Sequence, residues 1–472
     1  MTDPIERSRP LQRHGAARAP RAWRWAFALL LLGFVAAVAV TVRSPETTPE
    51  AVNTALEDWT GINRHPIALI RPADQPLSAL ARIGEQIFSD PTLSASGRQS
   101  CASCHSAVHD YGPPDARSVQ PGGPHMLGQG FRPPPSLAYL YRQEPFGIGP
   151  AVDQDAPVAL DQLAQKAATG PRVDKVAGTS TAGALVPSGG LFWDGRADTL
   201  QAQAGGPMLN PDEMANSSLH DVVRRIALAK YRDAFKPLFG EAVVRNPDLL
   251  FAEAMSAVAR FQVEARAFHR FDSKYDHWLE GKTRLTRAEM RGLRLFNDPG
   301  KGNCAGCHLS QAGTDGQPPL FTDAEYEALG VPRNRSLPAN RNPAFFDMGL
   351  CGPVRTDLSR QTRYCGMFLT PTLRNAARRR VFFHNGVYHS LREVLDFYNL
   401  RDAEPARIYP RDRRGRVLSY DDLPARYHAN VDTADAPFGR PPGSRPPLTD
   451  ADEADIIAFI TTLNDGDPPA AR

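Results

Sequence analysis

The sequence predicts a mainly α-helical protein built from two similar units, set behind an apolar segment near the N-terminus. Three observations carry this. A C-x-x-C-H motif occurs twice, as "CASCH" at 101–105 and "CAGCH" at 304–308. Each copy follows a short helical pattern ending in Phe-x-Asp-Pro, at Phe88, Asp90, Pro91 and at Phe296, Asp298, Pro299. Strand-like alternation is scarce, whereas apolar stripes at helical spacing recur.

The two motifs come first, because they carry chemistry. With 6 Cys and 12 His in 472 residues, chance supplies such a motif on the order of 0.002 times per chain. The competing use of C-x-x-C is a zinc site, which needs two more Cys or His at similarly short spacing. Cys351 and Cys365 stand well apart with no His between them. The motif is the attachment signature of a c-type haem. Cys101 and Cys104 are expected to form thioethers to one porphyrin with His105 as proximal ligand, and Cys304, Cys307 and His308 to do the same for a second. The predicted fold is therefore two cytochrome c-like haem domains.

At the N-terminus, Trp25 to Val42 are uncharged and mostly apolar, at the lower end of what spans a bilayer. Six arginines precede them, which places residues 1–24 on the cytoplasmic side. An uncleaved anchor at 25–42 is favoured over a cleaved signal segment, whose exit motif is weak here. Either way residues 43–472 are exported, to the periplasm in a bacterium. In that oxidising compartment Cys351 and Cys365 are expected to pair, two buried thiols being the alternative. Net charge is +3; residues 1–44 hold seven Arg against Asp3 and Glu6, and the remainder is slightly acidic. No basic patch calls for nucleic acid.

Residues 43–75 read as a Pro-rich linker. "LARIGEQIFSDPTLSASGRQSCASCH" (80–105) and "EMRGLRLFNDPGKGNCAGCH" (289–308) form the repeat. Asp-Pro stops each lead-in helix. Further helices are predicted over 218–239, 248–271, 390–399 and 449–463. The domains follow as 76–275, with a Gly/Ala/Pro-rich insertion at 142–190, and 276–472.

"LFWDGRADTLQAQAGGPMLNPDEM" (191–214) and "TPTLRNAARRRVFFHNG" (370–386), taken with both haem motifs, resemble the bacterial di-haem cytochrome c peroxidase and MauG-like family. The resemblance covers most of 80–400. It implies an enzyme whose N-terminal haem reacts with hydrogen peroxide. Trp193 matches the tryptophan set between the two haems, where an indole relays electrons. Glu213 matches the distal acid that moves a proton between the peroxide oxygens, Gln203 its hydrogen-bonding companion, and Pro207 a pocket-wall proline. Taken by itself, Glu213 in "NPDEM" reads as a charge at a helix N-terminus. His125 matches, with altered flanks, a histidine that caps the resting iron in some members; a loop histidine is the alternative.

The resemblance also divides two branches. Cytochrome-using peroxidases place a methionine ligand on the second iron fourteen residues after the histidine of "FFHNG". Here that position is Tyr398, as in the MauG-like branch, with Met367 as the fallback ligand. A thioether favours Fe(II), whereas a phenolate favours Fe(III) and above. The family's calcium ion uses an Asn where this chain has Pro133, and carbonyls that fall at Arg379 and Val381, so Ca2+ is disfavoured. The implied function is a periplasmic di-haem peroxidase that shares oxidising equivalents through Trp193 with a His308/Tyr398-ligated haem, of the bis-Fe(IV) type. The alternatives are a maturation enzyme that oxidises side chains of a partner protein, and a membrane-anchored electron carrier or redox sensor. The implied partners are hydrogen peroxide, an electron-donor protein or protein substrate, and the inner membrane.

Overall fold

The computed structural model describes residues 49–150 and 185–466. The basic tail, the segment at 25–42 and residues 151–184 of the insertion lie outside the described residues. Among those described, no helix is long and apolar enough to cross a membrane. Residues 1–59 and 60–472 form two units. In the first, the described part belongs to helix α1, Pro49–Thr60. The second is largely helical, and its described strands make three short antiparallel pairs.

Two hydrophobic cores organise the second unit, each built on one crossing of two helices. In the first core, α2 (Ala79–Ser89) starts where the Ser78 side chain accepts from Ala81 N–H, and stops at Asp90, extended ahead of Pro91. It packs on α5 (Pro247–Glu264), joining Ile83, Ile87 and Phe88 to Val258 and Phe261. The other helices of this core are α3 (Leu200–Leu209) and α4 (Leu219–Ile226). In the second core, α7 (Arg287–Asn297) and α9 (Asp450–Thr461) each open with a capping box, Thr286 with Glu289 and Thr449 with Asp452. They bring Met290, Leu293 and Phe296 against Ile456, Phe459 and Ile460. The short helix α6 (Lys274–Leu279) and α8 (Leu391–Leu400) complete it.

The crossings repeat in detail. A Cβ on Gly84 of α2 would meet the Ala257 carbonyl oxygen of α5 at 1.9 Å. A Cβ on Gly292 of α7 would meet the Asp455 carbonyl oxygen of α9 at the same 1.9 Å. Each glycine lies four residues before the lead-in phenylalanine, and each faces a second phenylalanine, Phe261 or Phe459.

Two predicted helices are shorter than expected. The pattern over 218–239 ends its α-helix at Ile226, continuing as 3-10 and one-turn pieces. The pattern over 248–271 ends at Glu264, because Ala265 turns extended and sends Phe268 back into the first core. The two cores are tied by buried polar groups. The Tyr139 hydroxyl donates to the Asp465 carboxylate at 2.6 and 2.7 Å. Within the second core Arg374 pairs with Asp276 at 2.8 Å, both fully buried. Residues 61–71, within the segment read as a linker, run along the second core: Asn63 donates to the Trp278 and Leu279 carbonyls, and Arg71 pairs with Glu280 at 2.6 Å.

Candidate active site

Each C-x-x-C-H motif is one tight turn closed by a bond from the histidine N–H to the first cysteine's carbonyl: His105 to Cys101 at 2.9 Å, His308 to Cys304 at 2.8 Å. The imidazoles are oriented alike. His105 Nδ1 lies 3.2 Å from the Tyr111 carbonyl oxygen, and His308 Nδ1 lies 2.9 Å from that of Phe321. A carbonyl only accepts, so Nδ1 carries the proton and Nε2 keeps the lone pair that a metal needs. Tyr111 and Phe321 both hold a left-handed backbone, at φ 56° and 54°. Each also sets its ring edge-on to the lead-in phenylalanine, at 6.0 Å from Phe88 and 6.1 Å from Phe296. Burial pulls the His105 pKa down to about 4, so the ring is neutral at pH 7.

The first cavity is lined by Cys101, Cys104 and His105 together with Gln203, Pro207 and Glu213. Gln203 and Pro207 sit on α3, one turn apart on one face. Glu213 lies in the turn that follows α3, not in the first turn of a helix, so the helix-charge alternative has no structural basis. Asn210 Nδ2 donates to Glu213 Oε1 at 2.7 Å. Burial raises the Glu213 pKa, opposed by Arg196 and the Asn210 bond. A hairpin of β1 (Pro121–Gly122) and β2 (Gly128–Gln129) lies directly on this turn. Gly123 N–H donates to the Glu213 carbonyl at 2.7 Å, and a Cβ on Gly122 would meet the Asp212 carbonyl oxygen at 2.0 Å. His125 is exposed in the loop of that hairpin and lines none of the three principal cavities.

The second cavity is larger and mostly apolar. Cys304, Cys307 and His308 line it together with Tyr398 of α8. The Tyr398 ring stacks on Phe438 at 5.5 Å, and burial pushes its phenol pKa up. Met367 does not line this cavity. Its neighbours Gly366 and Phe368 do, while Met367 packs against Tyr326, Leu350, Leu358 and Tyr364. Cys351 and Cys365 are joined as a disulfide beside this cluster. His384 also lines the cavity, stacked on Phe368 at 3.6 Å.

Trp193 lies between the two. It lines the second cavity and also a smaller space that reaches Gln203 of the first. Its indole Nε1 donates to the Pro133 carbonyl at 2.9 Å, and its own carbonyl accepts from Leu369 N–H at 3.0 Å. The next residue, Asp194, is buried and pairs with Arg132 at 2.7 Å, which reaches Asp347 at 2.6 Å with its other edge. Pro133, at the expected calcium position, offers only its carbonyl, and Trp193 uses it. Two apolar cavities, each with a thiol pair and an imidazole whose Nε2 can ligate, fit haem c. The acid and amide that share the first with His105 leave room for a polar reactant; the second closes on a tyrosine.

A model of the di-haem cytochrome c peroxidase family matches residues 78–284. The chain is 33% identical over 337 residues to the methylamine utilization protein MauG of Paracoccus denitrificans, covering 70% of this chain and 76% of that protein. The chain belongs to the di-haem cytochrome c peroxidase and MauG family. It is 27% identical to the cytochrome c551 peroxidase of Nitrosomonas europaea over 75% of this chain and 82% of that one. The crystal structure of the diheme peroxidase BthA from Burkholderia thailandensis superposes with a TM-score of 0.69 at 36% identity, covering 83% of this chain and 87% of that chain. This di-haem protein is thus a haem peroxidase, and the family implies two c-type haems.

Sequence analysis missed several groups at the site. The Tyr111 and Phe321 carbonyls orient the histidines, Asn210 holds Glu213, and the Arg379 guanidinium stands where the Tyr398 cavity adjoins the space beside Trp193. A backbone acceptor leaves no residue-type signature, and the other two become meaningful only once the cavities are known.

Proposed function

We propose that this peroxidase reduces hydrogen peroxide in the Glu213 cavity and shares the oxidising equivalents, through Trp193, with a second haem held by His308 and Tyr398. The position of Trp193, in the wall of the Tyr398 cavity and of the space reaching Gln203, carries this reading. When bound, the haems supply iron centres that accept and store the oxidising equivalents of peroxide. The protein does the rest. Glu213 takes the proton from the inner peroxide oxygen and delivers it to the outer one, so that the O–O bond breaks heterolytically. Its raised pKa makes both transfers easier near neutral pH, and Asn210 fixes the carboxylate. Gln203 orients the peroxide by hydrogen bonding, and Pro207 shapes the wall. The Tyr111 carbonyl, by accepting from His105, makes that imidazole a stronger donor. Tyr398 is a neutral phenol when buried alone; coordination to a ferric ion turns it into a hard anionic ligand that disfavours Fe(II).

The reductant is a donor protein or a protein whose side chains are oxidised; the likeness to MauG supports the second. Relatives named as peroxidases weigh against a purely carrier role. Residues 25–42 and the haem motifs support export to the periplasm, with the chain anchored in the inner membrane or released by cleavage. Peroxide added to the diferric protein tests the sharing step. A near-infrared charge-resonance band is expected in the wild type and a weakened band in Trp193→Phe, with axial-ligand signals unchanged. A wild type without the band refutes sharing.

A further inference from the structure

The segment "RNAARRR" (374–380) holds four arginines. Three are accounted for. Arg374 pairs with buried Asp276, Arg378 pairs with Asp110 at 3.2 Å, and Arg380 is exposed. Arg379 differs. It lines both the Tyr398 cavity and the space beside Trp193 that reaches Gln203. Its Nη1 donates to the Thr372 carbonyl at 3.1 Å and its Nη2 to the Arg374 carbonyl at 2.9 Å. Among the described residues no carboxylate forms an ion pair with it; Asp110, the acid whose field it feels, is engaged by Arg378. Burial draws its pKa down to about 10, as happens to a cation short of counter-charge.

Two bonds to neutral carbonyls do not offset the desolvation of a guanidinium. They use two of its five N–H groups. A half-buried cation that faces a cavity is stable where its counter-charge arrives with something other than the chain. One of the two spaces it lines is the Tyr398 cavity, and a haem brings two carboxylates on flexible propionate arms.

We propose that Arg379 is the counter-ion of a propionate of the Tyr398-side haem, where that cavity adjoins the space beside Trp193. The fork of the guanidinium matches a carboxylate in shape as well as charge. Held by the Thr372 and Arg374 carbonyls, it is a fixed positive charge that makes the second haem easier to reduce, offsetting part of the effect of an anionic Tyr398. The inference rests on two bound haems and not on the peroxide step, so its test is made without peroxide.

The test uses the full-length di-haem protein, with midpoint potentials from spectroelectrochemistry and propionate-bending bands from resonance Raman. Arg379→Gln should keep both haems covalently attached. It should shift the Fe(III)/Fe(II) equilibrium of the low-spin haem toward Fe(III) by roughly tenfold, about 59 mV for a one-electron couple. A propionate band should move with it. Arg379→Lys keeps the charge but loses the fork, so the potential should stay near the wild-type value while the band moves. An unchanged potential and unchanged band in Arg379→Gln overturn the proposal. If the Gln variant fails to take up haem, the Lys variant decides, and a wild-type Raman spectrum there overturns it.

Discussion

Replacing Gly292 by alanine sets two opposite effects against each other at one atom. On an exposed helix the change stabilises by about 1 kcal/mol, because alanine is the better helix former. Here the new Cβ would stand 1.9 Å from the Asp455 carbonyl oxygen, 2.6 Å from its carbon and 2.8 Å from Phe459 Cβ. An ordinary carbon–oxygen contact is about 3.4 Å, so α7 and α9 must part by more than an ångström. That loosens Phe296 and Phe459, which are both fully buried. Overpacking of a core costs roughly 3 kcal/mol at the upper end of its usual range, leaving a net loss of about 2 kcal/mol after the propensity gain. For a domain of this size that is a fall of about 4–8 °C in the unfolding midpoint. The assay is thermal unfolding followed by circular dichroism. Gly205→Ala on α3 is the control: its Cβ would meet only the Phe251 ring, at 3.5 Å, so it should hold or raise the midpoint. A neutral or stabilising Gly292→Ala would refute the close-crossing argument.

Two further outcomes concern the chemistry. Glu213→Gln should keep both haems yet slow the reaction with peroxide by roughly 10²–10⁴-fold. A carboxylate must be deprotonated to accept the first proton, and burial raises this one, so the wild-type rate should fall as pH drops through an apparent pKa above the ordinary Glu value of 4.5. Stopped-flow pH profiles should show that limb in the wild type and lose it in Glu213→Gln. Tyr398→Phe should abolish the low-spin ferric EPR signal of the second haem while Met367→Leu leaves it in place; the reverse result would move the ligand to Met367.

Much of the site was legible because its chemistry is local. Both haem motifs are contiguous, and the lead-in helices announce themselves by Asp-Pro stops. The predicted helix starts at 390 and 449 fall on the caps Ser390 and Thr449, because a side-chain acceptor and the N–H it satisfies are neighbours in sequence. The family resemblance pointed to Tyr398, which lines the same cavity as His308. Helix ends were less legible: nothing in "QVEARAFHRF" says that Ala265 leaves the helix, since the cause is the pull of Phe268 into a core formed elsewhere. The matched roles of Tyr111 and Phe321 were invisible, as "HDYGPP" and "PLFTDA" share no pattern and only the turn of their backbones agrees. Met367 stood near the right segment, but it packs into the cluster of Tyr326, Leu350, Leu358 and Tyr364 rather than lining the cavity.

The bond from Tyr139 to Asp465 has a consequence for the order of assembly. A chain leaves the ribosome with its N-terminus ahead. Tyr139 therefore emerges some three hundred residues before the carboxylate that receives its hydroxyl. The same late segment holds Arg378 through the Asp465 carbonyl and Asn375 through its side chain. The first haem unit can form its core and meet the attachment machinery while the surface around Tyr139 is still open. The last helix then closes that surface, so docking of the two halves reports that the whole chain has arrived. A product truncated just short of Asp465 would keep both haem motifs and still be left ajar at the junction between the two cores.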